Sequence, residues 1–366
     1  MKIERIQLAH VRLPLVEPFK ISNGVVSEKD GIIVQIHSDG LVGVGEASPM
    51  TGSFYSDETP ESTWDFLSNS LVPTVLRRGT SSVDEVNTLL DQVGGNFYAR
   101  AGVETAFWDL QAQLGAVPLY EALGGVRDEV ESGLAVGIYP TVKELLATIE
   151  RYLKQGYKRV KIKIQPGWDI EPLKEVRRTF GPVKLMVDAN CAYGRNDIEH
   201  LKRLDDFDLI MIEQPLPKDD LDGHAELQQV SKTPICLDEG AKDVSTLERA
   251  IHIGSCRIVN IKIQRVGGLK NAIAMHDVCA RAGIPVWGGT MPELGIGSAQ
   301  TVHLATLSDF CYPTDVESSS RWFVDDIVDP PIEVRNGTIK IPAGTGNCYH
   351  LNETKLQKYL VREETF

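Results

Sequence analysis

Five short apolar runs in the middle of the chain each end in charge. They are Val160-Lys161-Ile162-Lys163-Ile164, Val187-Asp188-Ala189-Asn190, Ile212-Glu213-Gln214-Pro215, Leu237-Asp238-Glu239 and Asn260-Ile261-Lys262. The charges recur almost evenly: 25 residues from Lys163 to Asp188, 25 to Glu213, 25 to Asp238 and 24 to Lys262. Such a period fits a strand-loop-helix-loop unit, and successive units deliver their charges to the same end of successive parallel strands. Neighbouring strands lie roughly 5 Å apart, so Asp188, Glu213 and Asp238 are expected to converge. Three anions so close raise one another's pKa, and a divalent cation relieves the repulsion. All-oxygen ligands point to Mg²⁺, with Mn²⁺ possible, rather than to zinc.

Lys161 and Lys163 are two residues apart on one strand and so share a face. Packed against helices they would be costly, which places them on the interior rim of a barrel. Two ammonium groups beside each other and beside a metal are expected to lower each other's pKa, freeing a neutral lysine as a general base. Lys262 is the mirror case across the metal. A cation flanked by two opposed bases suits removal of a proton α to a carboxylate, with nearby positive charge stabilising the enediolate. Two opposed bases permit racemisation, and one base that also serves as acid permits β-elimination.

These residues need a frame. From residue 132 strands and helices alternate strictly. Strands are expected at 132–138, 158–164, 184–187, 209–212, 234–237, 258–263 and 284–288. Helices are expected at 142–155, 171–179, 197–204, 221–231, 244–253, 269–282 and 296–307. Seven βα units predict an α/β chain with a TIM barrel of the (β/α)7β type, whose catalytic groups sit at the C-terminal strand ends. An open doubly wound sheet would gather them at one switch point instead. Residues 1–50 read as antiparallel strands with a hairpin turn at Ser38-Asp39-Gly40. Helical spacing follows at 63–76, 82–93 and 101–114, the last placing Val103, Ala106, Phe107, Leu110 and Leu114 on one face. This predicts an α+β capping domain over 1–125 and a barrel over 126–329. Residues 332–341, with Asn336-Gly337, read as a closing hairpin in a tail, 330–366, that returns to the first lobe. The polar stretch 18–25 reads as a loop able to close over a site.

The totals exclude other classes. The chain has 366 residues, 42% hydrophobic and 24% charged, with a formal net charge of -13. That balance argues against a nucleic-acid partner or an anionic membrane surface. No apolar run reaches the roughly 18 residues of a membrane helix, and the N-terminal pattern is strand-like rather than that of a signal peptide. Six scattered cysteines without a CxxC fit reduced thiols in the cytoplasm.

Taken together these motifs resemble the enolase superfamily, and within it the o-succinylbenzoate synthase / N-succinylamino acid racemase family. Val266-Gly267-Gly268, Gly156-Tyr157-Lys158-Arg159-Val160, Pro166-Gly167-Trp168-Asp169, residues 222–227 and Arg321-Trp322-Phe323 extend the resemblance over almost the whole chain. It implies Mg²⁺ on Asp188, Glu213 and Asp238, Lys163 and Lys262 as the acid/base pair, and Lys161 stabilising the enolate. It makes the stretch from Phe19 through Ser22 to Val25 part of a lid. Glu293 matches a family glutamate after the seventh strand. With Asn190, Ser132, Thr290 and Met291, these form the expected substrate-binding set. Thr290, Pro292 and Ser298 depart from the usual seventh-strand motif, and Gln264 stands where glycine is common.

The expected activity is o-succinylbenzoate synthase, a step of menaquinone synthesis. The alternative is N-succinylamino acid racemase, and the same site can run both. Muconate cycloisomerase and dipeptide epimerase rank below. A non-catalytic binding module would be expected to have lost a base or a ligand. The substrate is expected to be a small carboxylate with a succinyl arm, and the resemblance implies a homo-oligomer.

Overall fold

The computed structural model describes residues 2–52 and 55–366. Its N-terminal lobe is a four-stranded antiparallel sheet. The strands Ile3–Ile21, Gly24–Ser38 and Leu41–Ala47 form a meander, and Leu360–Thr365 adds an edge strand beside the first. Asp39 and Gly40 both take positive φ, 54° and 77°, as a two-residue hairpin turn matched to strand twist requires. The sheet packs on the helix Phe97–Leu114, which is buried on nearly every side. Gly43 and Gly45 permit this, because a Cβ on either would run into the helix backbone at Ala106 and Gly102. Val103, Ala106, Phe107 and Leu110 are buried as spaced, whereas Leu114 lies at the helix end and is exposed. The first helical stretch starts at Pro60 behind the Thr59 cap, and a π-helical turn, Leu67–Leu71, interrupts it before it ends at Arg78.

The stretch 18–25 is no open loop. Its strands continue the ladder, with Phe19 opposite Val26 and Ile21 opposite Gly24, so it forms a hairpin tip. The pairing breaks between Pro14 and Phe19, where prolines remove ladder donors.

Seven parallel strands follow: Leu134–Val136, Val160–Lys163, Leu185–Asp188, Ile212–Glu213, Ile235–Leu237, Ile258–Ile261 and Val286–Gly288, each paired with the next. Residues 309–315 bridge the first and seventh. Cys311 donates to the Val286 carbonyl and Asp315 to that of Gly288 on one side, while Gly133 donates to Thr314 on the other. This irregular segment is the closing strand, and it was not located from the sequence. The helices follow the expected pattern, except that 197–204 is a short α-turn, Ile198–Leu201, between two 3-10 turns. The expected tail turn is present: Asn336 and Gly337 take positive φ, and Arg335 and Thr338 exchange backbone hydrogen bonds across them. Its second arm, Thr338–Lys340, pairs with Glu129–Glu131 beside the barrel. Among the described residues of the tail, the last strand, Leu360–Thr365, is the one that joins the N-terminal sheet.

His303 joins the two halves. Its Nδ1 accepts from the Tyr120 N–H at 3.1 Å and its Nε2 donates to the Asn347 carbonyl at 2.8 Å. The Nδ1 bond needs the neutral ring, and burial lowers its pKa from 6.5 to about 4. The unfolded chain therefore binds a proton first as pH falls. Stability from this group should be lost between pH 6.5 and 4, by on the order of 3 kcal/mol. Urea titrations of wild type and His303→Gln at pH 7 and 4.5 isolate it: their difference should shrink at the lower pH.

Candidate active site

On Val160–Lys163 the side chains alternate. Val160 and Ile162 join the apolar layer beneath the helices, with Ile149, Leu173 and Val176. Lys161 and Lys163 therefore point inward, 2% and 7% exposed. Register carries the charges round the rim, with Lys163 opposite Asp188 and Asp188 opposite Glu213.

Lys163 Nζ lies 2.5 Å from Asp188 Oδ2 and 2.8 Å from Asn190 Oδ1. Lys161 bonds Glu213 at 3.1 Å, approaches Asp188 at 3.6 Å and closely contacts Asp315. Lys262 bonds Asp238 at 2.8 Å and the Tyr55 hydroxyl at 3.1 Å. Arg265 contacts both Asp238 and Tyr55. Lys163 and Lys262 thus grip different carboxylates of the same row. A cleft of about 580 Å³ opens beside Arg265, lined by Tyr55, Tyr98, Glu239 and Gln264 among others.

The electrostatics differ from the expectation of depressed lysines. Burial alone would lower Lys161, but the carboxylates of Asp315, Glu213 and Asp188 overcome it and raise its pKa. Lys262 is likewise raised, with Asp238 outweighing burial. Glu213 is pushed up to about 8 by burial and the Asp188 charge. Asp188 and Asp238 are held low against burial by their lysine and arginine partners.

Among the described residues no three His, Cys, Asp or Glu side chains are gathered as a ready metal cage. Each carboxylate is turned to a cationic partner instead. The donor chemistry still fits a hard divalent cation. Three buried carboxylates end adjacent strands, Glu213 is frustrated by its anionic neighbours, and Glu239 keeps one buried oxygen without a partner.

The other sequence-predicted residues divide. Asn190 joins the cluster, receiving Lys163 and donating to Glu239 at 3.0 Å. Ser22 donates to the Ala189 carbonyl at 3.0 Å, so the hairpin tip docks on the third strand end. Phe19 is buried edge-on against Trp322, 5.0 Å between centroids. Ser132 is instead bound into the closing seam, donating to the Val316 carbonyl at 2.6 Å. Met291 is buried and its N–H donates to Glu293, whose carboxyl burial raises; Thr290 is half-buried beside them.

Several residues were missed. Asp315 binds Lys161 and, at 2.8 Å, Arg159. Asn260 donates to Glu213 at 2.7 Å. Gln214 accepts from the amides of Asp238 and Gly240, both at 2.9 Å. Non-glycine positive φ at Asn190, Cys191 and Gln214 marks strain at this rim, as functional sites often carry. The Asp-Val-Glu pattern at 315–317 was the available signal for Asp315.

Two family models match the chain. The enolase C-terminal domain-like model covers residues 144–355, and the mandelate racemase / muconate lactonizing enzyme N-terminal domain covers 3–124. The chain is 43% identical to the o-succinylbenzoate synthase of Geobacillus kaustophilus, over 98% of this chain and 96% of that one. It is 41% identical to the N-succinylamino acid racemase of Thermus thermophilus, over 96% and 95%. A solved structure of an enolase superfamily member from Listeria innocua superposes with a TM-score of 0.95 at 38% identity, over 100% and 99%. With both domain models matched and such relatives along its whole length, the chain belongs to the mandelate racemase / muconate lactonizing enzyme family of the enolase superfamily.

Proposed function

We propose that this chain is an o-succinylbenzoate synthase that starts by removing a proton α to a carboxylate. The observation that carries the reading is the placement of Lys163 and Lys262 on different carboxylates of one buried row, together with 43% identity to synthases of that name. Asp188, Glu213 and Asp238 would hold Mg²⁺, which when bound supplies positive charge beside the substrate carboxylate. Lys163 takes the α-proton and returns it to the departing hydroxyl. Lys161, raised in pKa, stays charged and stabilises the developing anion. Lys262 adds a second positive charge. The hairpin tip through Phe19 and Ser22 excludes water and meets the succinyl arm, with Thr290, Met291 and Glu293 shaping the opposite wall.

The second reading is N-succinylamino acid racemase, with Lys163 and Lys262 each working one face. Lys262 favours it, being buried and aimed at the site by Asp238. We read the chain as a capping domain, 1–125 completed by 330–366, over a barrel, 126–329. We further place it in the cytoplasm as a homo-oligomer, without nucleic acid or membrane partners. Among the described residues no helix is long and apolar enough to cross a membrane, and all six cysteines are free.

The test is the ratio of kcat/KM for dehydration to that for racemisation on purified protein. Removing divalent cations with EDTA should abolish both activities, and Mg²⁺ should restore them. Full activity after EDTA would refute the cation assignment.

A further inference from the structure

Four of the barrel helices cap themselves. Thr141, Asp169, Asp220 and Asp243 each accept a backbone N–H at the start of the helix they precede. The helices Leu269–Ala282 and Gly295–Leu304, after the sixth and seventh strands, follow Gly268 and Leu294, which make no side-chain cap. Asp326 accepts from the Gly295 N–H at 3.0 Å, and the N-terminal lobe supplies further acceptors. Glu104 accepts from Leu269 at 2.8 Å and Lys270 at 3.0 Å. Glu46 accepts from Leu294 at 2.9 Å and Gly297 at 2.7 Å. Both carboxylates are fully buried, and Asn87 and Trp108 pre-aim Glu104. Gly268, at φ +135°, allows the close approach, since a Cβ there would lie 2.8 Å from the Glu104 carboxyl carbon.

A third contact falls between Lys262 and Gly268. Gln264 is 1% exposed. Its Oε1 accepts from the Ser48 amide at 3.0 Å and its Nε2 donates to the Glu46 carbonyl at 2.8 Å. A glycine, common at this position in the motif the chain resembles, could make neither bond. The segment from Lys262 to Gly268 is therefore clasped by the N-terminal lobe at its middle and its end.

We propose that Gln264 and Glu104 are positioning residues for Lys262, setting how well the chain works the substrate face that Lys262 serves. This deepens the two-base reading above and rests on it. Lys163 lies within a ladder-bonded strand, Val160–Lys163, and does not hang on the clasp. Lys262 precedes a single helical turn, Ile263–Val266, which the other lobe holds at Gln264 and just beyond Gly268. A displacement near 1 Å at a reacting group costs on the order of 10²-fold in rate, so loosening the clasp should penalise one face and spare the other.

The test is α-proton exchange in D₂O, with excess Mg²⁺, for each enantiomer of an N-succinylamino acid. Lys262→Ala identifies the enantiomer that depends on Lys262. Gln264→Met keeps the bulk and removes both hydrogen bonds. It should slow that enantiomer by ~10-fold to ~100-fold and change the other by less than ~2-fold. Glu104→Gln should show the same asymmetry, and it carries the test if Gln264→Met does not fold. Equal slowing of both enantiomers, or slowing of neither, overturns the assignment. If Lys262→Ala affects neither enantiomer, the two-base reading itself fails and the positioning role falls with it.

Discussion

Lys163→Ala is expected to lower kcat for dehydration and for racemisation alike, by on the order of 10²-fold to 10⁴-fold. In both schemes Lys163 moves a proton at the α-carbon, so neither can bypass it. Its Nζ is held by Asp188 at 2.5 Å and Asn190 at 2.8 Å, an orientation no neighbour duplicates by sharing both contacts. Lys161 is differently placed, its Nζ held by Glu213 at 3.1 Å and by Asp315 instead of by Asn190. The fold should survive the change, because Asp188 retains Lys161 at 3.6 Å. Lys163→Arg should be equally inactive: a guanidinium stays charged at any working pH. Steady-state kinetics decide the matter. A Lys163→Ala enzyme that keeps a tenth of wild-type kcat or more would remove Lys163 from the base role.

Asp315→Asn is the second large effect, and it acts on stability. Asp315 neutralises Arg159, at 2.8 Å, and Lys161. Both cations are almost wholly buried, and Arg159 meets Asp315 and the Pro313 carbonyl through Nη2 while its Nε and Nη1 have no hydrogen-bond partner. Taking away one member of a buried ion cluster leaves charge uncompensated in a poor dielectric, at about 3–5 kcal/mol. Against a usual total of about 5–15 kcal/mol, that is a severe loss. Burial works against the Asp315 carboxylate, yet Lys161 and Arg159 pull its pKa down to about 2. Its contribution is therefore complete above the unfolded value of 3.8 and fades as pH falls towards 2. Urea unfolding at pH 7 should show the drop in wild-type-relative stability. A loss below about 1 kcal/mol would mean that Arg159 finds water or another acceptor, against the buried-pair argument.

These two residues differ in how far the chain announced them. Lys163 sits in a strand whose alternation is local, and its 25-residue interval to Asp188 recurs twice more before a step of 24, so both its face and its end of the barrel follow from spacing. Asp315 lies in a segment with little regular ladder, and its importance comes from partners more than 150 residues away, Arg159 and Lys161. Ser132 shows a contact that spacing does not reveal. It begins a stretch correctly read as strand, but the barrel seam takes its hydroxyl. The stretch 18–25 looked like a loop because of its glycine and polar residues, while cross-strand pairing and docking on Ala189 and Ile138 made it a hairpin tip.

The sequence alone determined the parallel αβ repeat, the end of the strands on which charge gathers, and the identity of the carboxylates and lysines there. Period and burial are short-range properties, written wherever apolar residues alternate with turns. Which lysine pairs with which carboxylate follows from contacts between segments far apart in the chain. The tertiary structure also showed that 309–315 closes the barrel, and that the N-terminal lobe supplies Glu46 and Glu104 to two barrel helix starts and binds the barrel's Gln264 through Ser48 and Glu46. Those outcomes turn on charges and amides meeting in a dry interior, where a buried polar group must find a partner and the partner can lie anywhere along the chain.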